Sequence, residues 1–297
     1  MSVMQKLALL VVSVLAMVPW AHAAPLNFLD DTGQRVTLPG SPLRIISLAP
    51  SATEMLFAAG AGDRVVATVE YSVEPPAAKR VPRIGDVTAV DMERLVALRP
   101  DIVVVWPGGG NPAQIERIAQ LGIPVYRQQV NRLADLPASV RRLGVLASDP
   151  AVAERAALAL ENQLRSLAHE YGGGKHPTVL LEVWNHPIYT VGGTQLMSDA
   201  LTLCGARNVF GQLNELSAVV DTEAVIARNP DIIVAVAPPS EGASWLEEWK
   251  RFGSLSAVRN GRLIAFEDQG LVRLGPSVLT ATAGLCKALA GVNLGNY

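Results

Sequence analysis

Cysteine is nearly missing from this 297-residue chain: there are two, Cys204 and Cys286, both in the C-terminal half. That count excludes a small disulfide-stapled scaffold and a cysteine-rich metal fold. Neither sign of charge is in excess, since 25 Lys and Arg face 27 Asp and Glu for a net of -2. The chain therefore has no basic footprint for nucleic acid and no basic belt for an anionic membrane surface. Catalytic signatures are lacking as well. No G-x-x-x-x-G-K-[ST] or G-x-S-x-G occurs, and Gly108-Gly109-Gly110-Asn111 has no lysine to reach a nucleotide phosphate. Of the histidines, His169 and His176 fall at the end of a long helical stretch and in the loop after it. His186 stands without a second histidine or a carboxylate at ligand spacing. No metal site and no resident cofactor are expected, and an exported α/β enzyme remains only as a remote alternative.

What the chain does have is apolar mass, 49% of its residues, enough for a large core and for two units of the usual domain size. Residues 1–23 are set apart. Lys6 precedes an apolar run from Leu7 to Val18, which ends in Ala21-His22-Ala23, the pattern of an export signal cleaved after Ala23. The run is shorter than the ~20 residues of a spanning helix. No cysteine follows to carry a lipid, so a soluble exported protein beginning at Ala24 is expected. In an oxidising compartment the lone cysteine pair reads as one disulfide. Two buried thiols are the alternative, because each cysteine also lies on an apolar helical stripe.

Past a hairpin formed by Leu26 to Leu29 and Arg35 to Leu38, short apolar segments alternate with helical ones. Strands are expected at Ile45 to Leu48, Val65 to Thr68, Ile102 to Trp106 and Pro124 to Tyr126, with helices from Pro50, Asp91 and Pro112. At the first helix, Ser51 and Glu54 have the spacing of a capping box. Strands without period-2 alternation point to a parallel sheet covered on both faces, an α/β lobe. A repeat then doubles the architecture: Asp91 to Pro107 matches Asp221 to Ala237 at an offset of 130 residues. Between the copies, Asp149 as N-cap and Pro150 at the first helical position open a helix to Tyr171, with Leu160, Leu164, Leu167 and Tyr171 on one face. Its span of roughly 33 Å makes it a stiff strut. The expected organisation is a signal peptide (1–23), an N-terminal α/β lobe (24–149), a connecting helix (150–172) and a C-terminal α/β lobe (173–297). A cleft would lie where the strand ends of both lobes converge. Trp106 and Trp184 each end a strand there, Glu70-Tyr71-Ser72 follows another, and Glu267-Asp268-Gln269-Gly270 a fourth.

Several segments together carry a resemblance: Ile46-Ser47-Leu48-Ala49-Pro50-Ser51-Ala52-Thr53-Glu54 with Leu56 to Gly60, Tyr71-Ser72 with Pro75-Pro76, Glu93 to Asp101, Leu203 to Phe210, and Glu223 to Asp231. Residues 44 to 290 resemble the helical-backbone (class III) periplasmic substrate-binding proteins of ABC importers, which carry cobalamin, haem or ferric siderophores. The resemblance implies two lobes on a rigid helix with small closure, and delivery to a membrane permease with its ATPase partner. The expected state is a monomer. Among the family, the chain is most similar to the vitamin B12 (cobalamin)-binding members. By that likeness Tyr71 and Trp106 occupy aromatic cleft positions, Gln269, Gly270, Leu271, Val272 and Arg273 form the loop over the ligand's other side, and Cys204 and Cys286 match the subgroup's disulfide. Glu93 and Glu223, at one position of the repeat, match the permease-docking pair. Val87 and Ser217 stand where the subgroup carries tryptophans, so the aromatic enclosure is thinner. Cobalamin is the expected ligand, with Tyr71, Trp106 and Trp184 as flat walls and Arg273 and Gln269 on its peripheral amides. Haem is the second reading, with Tyr71 or His186 as axial ligand, and a ferric siderophore the third.

Overall fold

The computed structural model describes residues 25–173 and 176–293. The export signal and its cleavage point lie outside the described residues. Asp30 shapes the first turn: its carboxylate accepts from the Thr32 and Gln34 backbone amides at 2.9 Å each, and Gly33 takes the left-handed conformation (φ 82°). The antiparallel hairpin of β1 (Leu26–Leu29) and β2 (Arg35–Leu38) results.

The N-terminal lobe is a four-stranded parallel sheet of order β4-β3-β5-β6, built from β3 (Ile45–Ser47), β4 (Val65–Ala67), β5 (Ile102–Val105) and β6 (Val125–Arg127). Its crossovers include α1 (Pro50–Ala58), α2 (Met92–Ala97) and α3 (Pro112–Gln120). The C-terminal lobe repeats the plan with order β12-β11-β7-β9, from β7 (Thr178–Glu182), β9 (Arg207–Asn208), β11 (Ile232–Val236) and β12 (Leu263–Phe266). A small antiparallel pair, β8 (Tyr189–Val191) with β10 (Ser217–Val219), is added beside it. Central strands β5 and β11, the two halves of the repeat, are buried along their whole length, as a sheet covered on both faces requires. The helix before β11 is α7 (Thr222–Arg228), with α6 (Leu196–Leu203) ahead of it. The repeat extends to the caps: Asp91 accepts from the Arg94 amide at 2.9 Å and Asp221 from the Ala224 amide at 2.7 Å. Arg99 and Asn229 both close their turns at φ 45°.

Helix α4 (Leu136–Leu143), not expected from sequence, lies against the strut α5 (Pro150–Tyr171), whose bounds match those expected. Arg141 of α4 pairs with Glu154 at 2.8 Å and Glu161 at 2.5 Å on α5. Ala153 and Leu160 of the strut, with Leu164 packed against them, join a core that also holds Ile45, Ile102 and Val104 of the first sheet and Val179, Leu181 and Val234 of the second. The strut is thus cemented into both lobes. The chain ends in α8 (Gly242–Trp249), α9 (Ser256–Arg259), the single turn α10 (Gly270–Arg273) and α11 (Ser277–Ala290). Cys204, at the end of α6, is bonded to Cys286 of α11. No described helix is long and apolar enough to cross a membrane.

The capping box does not form. Ala49 is the N-cap of α1; the Ser51 hydroxyl donates instead to Gln128 Oε1 at 3.1 Å, and the Glu54 carboxylate accepts from Ser277 of the opposite lobe. A tertiary partner has displaced the local one.

Candidate ligand-binding cleft

Where the strands of both sheets end, the lobes enclose a cavity of about 1020 Å³. Its N-terminal wall is the segment Trp106 to Gly108 after β5, the segment Gln128 to Arg132 after β6, and Ser51 at the start of α1. Its C-terminal wall is Val183 after β7, Val191 of β8, the α6 start from Gly193 to Met197, Ser217 of β10, and Val272 and Leu274 around α10. Carboxyl-terminal strand ends are where open α/β sheets leave room for a ligand, because the connecting loops diverge there.

Trp106 owes its position to the glycines after it. A Cβ at Gly109 would come within 2.0 Å of the indole Cζ3, and one at Gly108 within 2.9 Å of Nε1, so the ring lies against bare backbone. Around it aliphatic side chains such as Val183, Val191, Leu196 and Leu216 alternate with neutral polar ones. Five amide side chains, Gln128, Gln129, Asn131, Gln195 and Asn214, line the cavity, and Arg132 and Asp199 are its charged groups. None of these seven was singled out from sequence. The signal available was the run Gln128-Gln129 with Asn131, polar residues directly after a buried strand.

Of the residues expected to touch ligand, Trp106 and Val272 line the cavity. The others lie elsewhere. Trp184 is half exposed; Val183, one residue earlier, takes the cavity side, while the Trp184 indole meets Trp245 edge-on at 6.3 Å and donates to the His186 carbonyl. Tyr71 sits in a left-handed turn (φ 63°) with 78% of its surface exposed. Because Gly270 to Arg273 wind into one helical turn, the five loop residues point different ways: Gln269 donates to the Ala237 carbonyl at 2.8 Å, Gly270 packs near Ala281, and Leu271 is fully buried. Arg273 is not part of the cavity wall; its charge acts on the Glu54 carboxyl, and its Nε has no hydrogen-bond partner among the described residues. Val87 packs in the N-terminal core, whereas Ser217 lines the cavity. His186 pairs with Glu248 at 3.3 Å on the surface of the C-terminal lobe. Among the described residues, no His, Tyr or Cys lines the cavity and no group of three or more His, Cys, Asp or Glu is placed to hold a metal ion.

Two carboxylates next to the cavity cross between lobes. Glu54 accepts from the Ser277 amide at 2.5 Å and hydroxyl at 3.0 Å; Asp199 of α6 accepts from the Leu133 amide at 2.7 Å. Burial raises the Glu54 carboxyl above its ordinary range, against the lowering effect of the Ser277 hydrogen bonds and Arg273. Farther out, Glu93 and Glu223 are exposed in the first turns of α2 and α7, at equivalent places in the two lobes, with Val96 and Ile226 exposed on the same helices.

Residues 45–269 match the family model described as "Periplasmic binding protein". A vitamin B12-binding protein of Pectobacterium carotovorum is 31% identical over 258 residues, covering 86% of this chain and 91% of that one. The crystal structure of the periplasmic vitamin B12 binding protein BtuF of Vibrio cholerae superposes with a TM-score of 0.78 at 29% identity, over 84% of this chain and 97% of that one. A periplasmic heme binding protein from Pseudomonas aeruginosa gives 0.71 at 25% identity, over 85% and 94%. With two parallel-sheet lobes on one long helix and a family match across most of its length, the chain belongs to the periplasmic binding proteins, in the helical-backbone class.

Proposed function

We propose that the mature protein captures cobalamin in the cavity between its lobes and hands it to the permease of an ABC importer. The observation that carries this reading is the chemistry of the lining: one indole, aliphatic walls and five amides, in a cavity of about 1020 Å³. A corrinoid is a broad macrocycle rimmed with amides, which amide side chains match as donor and acceptor at once. Haem asks for an axial ligand and basic partners for its two propionates. Arg132 is the lining's one cation, and the axial candidates Tyr71 and His186 stand outside the lining. The vitamin B12-binding relatives support the same choice. Protein purified from the periplasm of cells grown with cobalamin should carry the corrinoid absorption bands; a haem Soret band in their place would overturn the reading.

The export-signal pattern of residues 1–23 supports the periplasmic location; with cleavage after Ala23, N-terminal sequencing should read Ala24-Pro25-Leu26. Docking is assigned to Glu93 and Glu223, whose exposure on matching helices suits arginines on the two halves of a dimeric permease. An ATPase on the cytoplasmic side completes the importer, and the binding protein acts as a monomer without a cofactor or catalytic group of its own.

A further inference from the structure

Each lobe offers one carboxylate to the other, and each bond falls at the start of a helical turn. Glu54, on α1 of the N-terminal lobe, accepts from the backbone amide and hydroxyl of Ser277, the first residue of α11 in the C-terminal lobe. Asp199, on α6 of the C-terminal lobe, accepts from the amide of Leu133, the first residue of a 3-10 turn in the N-terminal lobe. Free amides at a helix start are the groups a carboxylate satisfies best. The contact at Glu54 is close enough to require glycine: a Cβ on Gly275 would lie 2.4 Å from Glu54 Oε2 and 3.0 Å from its Cβ. The chain reaches that contact through Leu274, held in the left-handed conformation (φ 59°), and Leu274 itself lines the cavity. On the other side, Leu133 directly follows the segment from Gln128 to Arg132 that forms the opposite wall.

We propose that Glu54 and Asp199 are positioning residues that set the width of the cavity, each pinning, in the lobe opposite its own, the segment that lines the ligand's space. The strut fixes the lobes' orientation from behind, and the two caps fix their separation beside the ligand. Binding then meets walls already at the working distance, and removing the caps lowers the fraction of molecules in the competent geometry, with affinity falling by that fraction. The consequence for affinity rests on the cavity being the cobalamin site; the geometric consequence does not.

The test places nitroxide labels at Ala97→Cys and Ala227→Cys, exposed positions on α2 and α7, with the native disulfide intact, and reads interlobe distances by pulsed electron resonance in ligand-free protein. The parent should give one narrow distribution. Glu54→Ala with Asp199→Ala should broaden it and raise the cyanocobalamin Kd by about tenfold, chiefly through faster dissociation. Glu54→Gln, which keeps an acceptor oxygen for the Ser277 amide, should restore much of the narrow distribution in the presence of native Asp199. Where the double variant does not fold, Asp199→Ala alone carries the test and should broaden the distribution to a lesser degree. An unchanged distribution in the folded variant overturns the proposal. A parent protein that shows no cobalamin binding defeats the ligand assignment alone, and the distance measurement still decides the role of the caps.

Discussion

Glu182 ends β7 fully buried, and its surroundings make a sharp prediction about stability. Oε2 accepts from the Trp249 indole at 2.8 Å, Oε1 has no partner among the described residues, and Glu248 adds a second negative charge nearby. Burial is the largest influence, and the carboxyl moves from 4.5 to about 7. Because the folded state holds this proton more tightly than the unfolded chain, the stabilisation is full below pH 4.5. It declines as pH rises and is gone above pH 7. The difference between the two limits is about 3 kcal/mol. Glu182→Gln keeps an oxygen for the Trp249 indole and removes the ionisation. The variant should melt close to the parent at pH 4.5, and about 5 °C above it at pH 8 for a protein of this size. Calorimetric melts of parent and variant from pH 4.5 to 8.5 measure this directly. A Tm difference that stays constant across the range would refute the reasoning, because it would mean that Glu182 does not titrate between those limits in the folded protein.

Two further outcomes follow from the structure. The Cys204 to Cys286 bond closes a loop with a separation of 82 residues, so reduction, or Cys286→Ser with Cys204→Ser, should lower stability by about 4 kcal/mol on the chain-entropy model, read by denaturant melts. Glu93→Ala with Glu223→Ala should impair uptake in cells and association with the purified permease while leaving the ligand Kd unchanged; weakened ligand binding with normal association would contradict the docking assignment.

The fold was legible wherever local periodicity and packing agree. Fully apolar strands such as Ile102 to Val105 announce a sheet covered on both faces, and Asp149 and Pro150 with the stripe through Leu160 and Leu167 define the strut to the residue. The 130-residue repeat fixed the likeness of the lobes, since a copied strand with its preceding helix must fold the same way twice. Helix α4 carried a weaker signal because its stripe of Leu136, Val140 and Leu143 covers only two turns of an eight-residue helix. The cleft was harder to read for a geometric reason. Which of two neighbouring residues faces inward depends on where the strand stops, so Val183 lines the cavity and Trp184 does not. The amides from Gln128 to Asn131 form no motif and become a wall only when the second lobe stands opposite. The local signal at Ser51 and Glu54 was real but outcompeted, as a buried carboxylate gained more from the free amide of Ser277 than from its own helix.

Titration of the purified protein with cyanocobalamin and, separately, with haemin, followed by quenching of tryptophan fluorescence, tests the central claim most directly, because Trp106 stands in the cavity wall as a built-in reporter. The account predicts saturable quenching by cyanocobalamin, lost with Trp106→Ala in the fluorescence signal and weakened about tenfold or more in Kd by calorimetry. Tight haemin binding that is abolished by Tyr71→Ala, with no response to cyanocobalamin, would contradict it.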